Sequence, residues 1–404
     1  MAGIAALAFA YMLSQFYRSF LAVLTTALET DLAATKADLS IASGAWFFTF
    51  ALMQFVVGVS LDRYGPRKTA AVILAVGGGG GAFLFALAPN PFVITIAMAL
   101  MGIGCSPVLM ASVFIFAREF PPARMAMLTS WMVAFGSAGN VIGASPLANA
   151  AEMFGWREVM AALGVITLIV ALAIILFVRD PARHEGAGAS SGFGGYLELL
   201  RIRPLWFILP LLGIGYVAPA GIRGLWAGPY LAEVYGADML TIGRVTLFMA
   251  IAMVTGSFLY GPLDTFFRTR KRVAMAGGLL ALAVIVALAI RPAPGIEWAT
   301  VAFMLIGLLG GSYGLLMAHG GAFVPRHLIG RGVTLLNFFA IGVAGVMQFV
   351  IGGLFAGWVV PGEPAAAYGT LFAYYAGLLA IALVIYLFAR DAKPGVPVSA
   401  PRPG

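Results

Sequence analysis

Long apolar runs separated by short polar breaks recur along all 404 residues of this chain. No other feature restricts the fold as much. Inside hydrocarbon every backbone N–H and C=O must be bonded within the protein, so only helices and closed barrels can cross a membrane. A spanning helix takes about 20 apolar residues, a spanning strand about 10. The runs here are of the longer class, and strand alternation is absent. The expectation is an all-α membrane protein. Charged residues make up only 10% of the chain and hydrophobic ones 62%, against about 25% charged in an ordinary soluble chain.

Twelve transmembrane helices are expected, at roughly 4–28, 41–61, 69–88, 92–117, 126–150, 158–178, 205–232, 241–262, 273–290, 297–322, 333–357 and 368–389. The opening "MAGIAALAFA" lacks a basic n-region and its run continues, so it reads as a span rather than a signal peptide. The Gly/Ser-rich stretch 179–204 divides the chain. Four segments are expected: 1–178, an N-terminal six-helix bundle; 179–204, a cytoplasmic linker holding a short interfacial helix at "YLELLRI"; 205–390, a C-terminal six-helix bundle; and 391–404, a cytoplasmic tail.

Of the 24 Lys and Arg, eighteen fall in loops on one side or in the tail, three (Lys36, Arg157 and Arg291) on the other side, and three within spans. The positive-inside rule then places both termini in the cytoplasm, and the predominance of Arg over Lys, as a GC-rich bacterial genome would give, points to a bacterial inner membrane. A net charge of +8 would suggest nucleic acid in a soluble protein. Here the charge is a membrane orientation signal, so no nucleic-acid partner is expected. The single cysteine, Cys105, excludes an internal disulfide and a cysteine metal cluster. No cofactor or metal is expected, and the chain reads as a monomer.

The halves repeat. "GVSLDRYGPRK" (58–68) follows the second span and "GPLDTFFRTRK" (261–271) the eighth. Asp62 and Asp264 stand 202 residues apart, half the chain. "FPPAR" (120–124) answers "VPRHLIGR" (324–331), and Gly136 and Gly139 answer Gly342 and Gly345. A half-length repeat is the mark of a transporter whose two bundles rock about a site near the midplane. The first loop resembles the signature of the major facilitator superfamily, G-x-x-x-D-R-x-G-x-[RK]-[RK]. The second copy, the central loop and the six-plus-six plan extend that resemblance over nearly the whole chain. It implies alternating access, with Asp62, Arg63, Arg67 and Arg118, and Asp264 in the second copy, gating the cytoplasmic side. One position departs from the pattern. Many proton-coupled members carry an arginine four residues before a G-x-G in the fourth helix, where this chain has Met98 before "GIG".

One arginine sits deep in the first helix of each half, Arg18 and Arg223. An arginine at a helix centre costs about 2.5–3.5 kcal/mol on insertion scales. Glu29, Asp31, Glu119, Glu158, Glu233 and Glu297 all lie at or near span ends, so no central acid is expected to neutralise the pair. Helical spacing places Tyr11 and Gln15 on the face of Arg18, and Tyr216, Trp226 and Tyr230 on that of Arg223. Asn337 is a further cavity candidate. His319, the one histidine within a span, is a candidate proton carrier. Guanidinium forks match carboxylate and phosphate. The expected function is therefore secondary active transport of a small organic anion, by exchange or proton coupling. The paired arginines also resemble those of organophosphate/phosphate antiporters, and a phosphate-ester antiporter is one alternative; a proton-coupled efflux pump for lipophilic drugs is another. An intramembrane enzyme would need paired acids, a metal cluster or a nucleophile–base pair at depth, and the spans offer none, so the chain is read as a non-enzyme.

Overall fold

The structure, a computed structural model, describes residues 2–120, 122–181, 194–325 and 328–393; within them, side chains including those of Asp62 and Arg124 lie outside the described residues. The regular structure among the described residues is all helical, without strands. The first span is α1 (Ala2–Tyr17) and α2 (Leu21–Leu32), meeting at 52°. The second is α3 (Lys36–Tyr64). The third joins α4 (Pro66–Ile73) to α5 (Gly80–Ala86) through a π turn, Leu74–Gly79. The fourth pairs α6 (Pro91–Cys105) with α7 (Pro107–Glu119), the fifth α8 (Pro122–Ile142) with α9 (Ser145–Phe154), and the sixth is α10 (Trp156–Phe177). A short α11 (Gly194–Leu200) precedes the seventh span, in which α12 (Arg203–Gly221) and α13 (Ala227–Tyr235) flank a π turn at Ile222–Trp226. Then come α14 (Met239–Phe267), α15 (Arg270–Ile290), the pair α16 (Ile296–Gly310) and α17 (Tyr313–Gly321), α18 (Ile329–Phe355) and α19 (Pro364–Tyr386). Ten of these spans are long and apolar enough to cross a bilayer, and the bent first span makes eleven. The α8–α9 pair, broken near Gly143, completes the twelve-helix plan.

Local chemistry sets the helix starts. Thr35 and Asp38 form a capping box on α3, Asn90 caps α6, Asp238 caps α14, and proline occupies the first turn of α4, α6 and α19. Each satisfies or removes an N–H that a helix leaves unbonded. The repeat reaches the caps as well. The Arg67 N–H at the start of the third span donates to Asp180, beyond the sixth, at 2.8 Å; the Lys271 N–H at the start of the ninth donates to Asp391, beyond the twelfth, at 3.0 Å. Partial burial of Asp391 works against ionisation. Hydrogen bonds from Thr269 and the Lys271 N–H outweigh it and hold the carboxyl below the usual range.

The glycine run 77–81 allows close helix packing. A Cβ on Gly104 would lie 2.0 Å from the Gly78 nitrogen, so the third and fourth spans touch backbone to backbone.

Candidate functional site

Both deep arginines sit where their helix departs from α geometry. Arg18 is in the turn between α1 and α2. Arg223 is in the π turn Ile222–Trp226, just after Pro219. Proline has no N–H, so the carbonyl one turn back loses its partner and the helix can rewind there. The two segments lie side by side. A Cβ on Gly224 would stand 3.5 Å from the Arg18 carbonyl oxygen, and one on Gly228 would overlap the Ala22 carbonyl at 2.1 Å. At Gly228 only glycine permits that crossing of the first and seventh spans.

Each arginine reaches into the other half of the chain. Arg18 Nη1 approaches the Tyr216 hydroxyl of the seventh span at 3.4 Å, and its guanidinium lies 5.1 Å from the Trp46 ring and 5.2 Å from that of Phe50, both on α3. Arg223 Nη2 donates to Asn140 Oδ1, on α8, at 2.8 Å. Nε of each guanidinium is buried without a partner. Among the described residues, no carboxylate bonds either arginine. The balance is unequal. A desolvated cation–π contact is worth about 2 kcal/mol, which goes far toward offsetting the burial of Arg18. Arg223 is only 5% exposed, has one neutral acceptor, and feels the like charge of Arg18 beside it. Its positive charge is not balanced by the protein.

A polar wall extends from this pair. Gln15 Nε2 donates to the Tyr11 hydroxyl at 2.9 Å, and Tyr11, Tyr216 and Tyr313 all lie within electrostatic reach of Arg18. The Tyr216 and Tyr313 rings are 6.0 Å apart, and the Tyr313 hydroxyl donates to Asn337 Oδ1 at 2.7 Å. Arg18, Asn140, Tyr216, Tyr313 and Asn337 remain partly exposed although they come from five different spans facing one another. Such exposure at the centre of a bundle marks a water-reached cavity. Toward the face poor in basic residues the two halves are tied together. Lys36 pairs with Glu233, whose carboxylate also accepts from Tyr368 at 2.9 Å. Ser40 donates to the Gln348 carbonyl at 2.6 Å, and Gly44 meets Gly345 backbone to backbone.

Of the residues singled out in the sequence, the structure brings together Tyr11, Gln15, Arg18, Tyr216, Arg223 and Asn337. Trp226 and Tyr230 stand apart. Trp226 donates to Gln348 at 3.0 Å and packs on Phe355; Tyr230 donates to the Pro292 carbonyl at 2.8 Å among Phe303, Tyr368 and Phe372. The π turn adds a residue to the winding, which rotates everything beyond Arg223 off its face. His319 is fully buried and away from the pair. Its Nε2–H donates to the Arg390 carbonyl at 2.8 Å and its Nδ1 accepts from Tyr386 at 2.7 Å.

At the loops, Asp264 pairs with Arg270 at 3.1 Å. Arg63 lies over Tyr64 and Arg118 over Phe114, while the backbone of Arg67 is held by Asp180. The Asp62 side chain lies outside the described residues. Trp46, Phe50 and Tyr313 were not singled out. The sequence signal for the first two is the 46, 50, 54 spacing, which puts them on one helical face with a buried glutamine, Gln54.

A twelve-span helical bundle with two arginines and partly exposed polar side chains between its halves has the architecture of a membrane transporter. The profile of the Major Facilitator Superfamily matches residues 7–348, and the chain belongs to that family. Similar proteins include the uncharacterized transporter YybO of Bacillus subtilis, 23% identical over 63% of each chain, and the probable sulfoacetate transporter SauU of Cupriavidus necator, 21% identical over 66% of each. The sialic acid transporter NanX of Escherichia coli is 22% identical over 58% of this chain and 56% of its own. The matches to these curated relatives thus span somewhat under two thirds of their length. Among solved structures, a bacterial homolog of the human lysosomal transporter Spinster superposes with a TM-score of 0.76, at 18% identity and 96% coverage of both chains. A D-xylose–proton symporter gives 0.74 at 14% identity, over 96% of this chain and 97% of its own.

Proposed function

We propose that this transporter carries a small organic anion, bearing a carboxylate or sulfonate, across a bacterial inner membrane, with both termini cytoplasmic. Residues 1–178 and 205–390 act as the two rocking bundles, joined by the 179–204 linker. The observation that carries this reading is the charge of the cavity: two adjacent guanidiniums, each with an unpartnered buried Nε and neutral protein partners. An anion is the missing component, since charge-assisted bonds of planar guanidinium are strong in a low-dielectric site. The tyrosines and Asn337 suit the polar body of such a substrate. Two relatives are named for acids, sulfoacetate and sialic acid, which supports the same class.

The face where the halves are tied together is the one poor in basic residues, so this conformation opens toward the arginine-rich side. Moving one negative charge inward against 100 mV costs about 2.3 kcal/mol, so uptake must run by exchange or with a co-transported proton. Both nitrogens of His319 are committed to structural bonds, which favours exchange or a proton carried on the substrate. The test is uptake into proteoliposomes of organic acids, neutral sugars and lipophilic cations. Saturable uptake of an acid that Arg223→Ala abolishes is expected. Saturable transport of a neutral sugar or a cation, unaffected by Arg223→Ala, would overturn the proposal.

A further inference from the structure

A groove of about 430 Å³ lies between α14, α15 and α16, away from the central cavity. Leu259, Leu263, Phe267, Val273, Leu280 and Leu308 give it apolar walls. Its polar members are Tyr260, Thr269 and Arg272. The Tyr260 hydroxyl already donates to the Leu309 carbonyl at 2.9 Å, and the Thr269 hydroxyl to Asp391 at 2.5 Å. Water, which takes about 30 Å³ and needs two or more polar partners, would find little to bond along the apolar length. The groove runs beside α14 from Phe267 to Gly256, eleven residues or about 16 Å at 1.5 Å each. That is half of a hydrocarbon core of about 30 Å, the reach of one acyl chain within one leaflet.

The mouth of the groove is on the arginine-rich face and its charges are unevenly used. Arg270 pairs with Asp264, and Lys271 donates to the Leu387 carbonyl at 2.7 Å. Arg268, which stands between the lining residues Phe267 and Thr269, and Arg272, itself a lining residue, are exposed, and among the described residues their side chains make no hydrogen bond or ion pair. The nearby acids are already taken: Asp264 by Arg270, and Asp391 by Thr269 and the Lys271 N–H. Among the described residues at this mouth, no carboxylate is left to receive the ammonium of a zwitterionic headgroup.

We propose that this groove binds an anionic phospholipid of the phosphatidylglycerol type, one acyl chain lying between α14 and α15 and its phosphate held by Arg268 and Arg272. The site is independent of the substrate cavity. Basic side chains at a membrane surface each strengthen binding of an anionic lipid by about fivefold.

The test uses the full chain, purified in detergent and stripped of lipid. Native mass spectrometry and thermal unfolding are followed on adding phosphatidylglycerol, or phosphatidylcholine and phosphatidylethanolamine with the same chains. Wild type should retain one phosphatidylglycerol in preference to the others and unfold at a higher temperature with it. Arg268→Gln with Arg272→Gln should weaken retention by roughly twenty-five-fold, at about fivefold for each arginine. Ala276→Phe fills the groove without touching a charge and should also weaken it. Both variants should unfold like wild type without lipid. Equal retention of all three lipids would overturn the proposal, as would a phosphatidylglycerol preference that survives both variants. So would full competition by soluble glycerol phosphate, which would mean a phosphate site with no use for the groove.

Discussion

Arg18 and Arg223 occupy matching places in the two halves, yet their surroundings differ. Arg18 rests against two aromatic rings and meets its tyrosine at the long distance of 3.4 Å. Arg223 is more deeply buried and holds Asn140 at 2.8 Å. The aromatic shelf can bear the charge of Arg18 while leaving most of its N–H groups unused. Arg223 is fixed in direction but electrostatically in deficit. In the proposed mechanism Arg223 supplies the stronger demand for an anion and Arg18 the adaptable second contact. Because each bonds across to the other half, an anion between them would couple occupancy to the relative position of the halves.

The largest effects that could break this comparison come from removing either charge. Arg223→Ala or Arg18→Ala should weaken substrate binding by about 2–5 kcal/mol, which is roughly thirtyfold or more in Kd. Equilibrium binding to purified protein checks this, and a loss confined to one arginine would end the two-point reading. Asn140→Asp should come next. It sets a permanent carboxylate against Arg223, so substrate binding should fall sharply while thermal stability rises, because the protein then supplies the counter-charge itself. Unchanged binding in Asn140→Asp would mean that Arg223 does not face the substrate.

A smaller effect separates the two sites. Trp46→Leu should weaken binding by roughly two- to thirtyfold, the range of a cation–π contact of about 0.5–2 kcal/mol, and should do so through Arg18 alone. In an Arg18→Ala background the same change should cost almost nothing. The smallest effect on transport is expected at His319. His319→Phe leaves Tyr386 and the Arg390 carbonyl unpaired, so stability should drop by about 1–3 kcal/mol, measured by chemical or thermal unfolding, with the pH profile of uptake unchanged. A shifted pH profile would return His319 to the coupling mechanism.

Much of the architecture is legible in the sequence because hydrocarbon permits so few solutions. Apolar run length leads to twelve helices, and the half-length repeat and its loop signature lead to the family. The depth of Arg18 and Arg223 follows from counting residues along a helix. What periodicity cannot convey is a change of winding. A straight-helix reading puts Trp226 and Tyr230 on the face of Arg223, and the π turn after Pro219 rotates them toward α18 and α19. The break at Arg18 carries no proline or glycine to announce it. Trp46 and Phe50 are hard to find for a different reason: in a membrane span an aromatic residue facing a cavity looks the same as one facing lipid. The matching acid caps at Asp180 and Asp391 are visible as "VRD" and "ARD" only once the structure shows what they bond.

The pairing of the two arginines on one anion is tested most directly by ligand-induced thermal stabilisation. Wild type, Arg18→Ala, Arg223→Ala and the double variant are compared against a panel of organic acids at low salt. The expected result is that an acid which raises the unfolding temperature of wild type fails to stabilise either single variant, and that the double variant behaves no worse than the singles, because the two contacts act as a unit. Undiminished stabilisation of Arg18→Ala or Arg223→Ala would contradict it and place the anion elsewhere in the cavity.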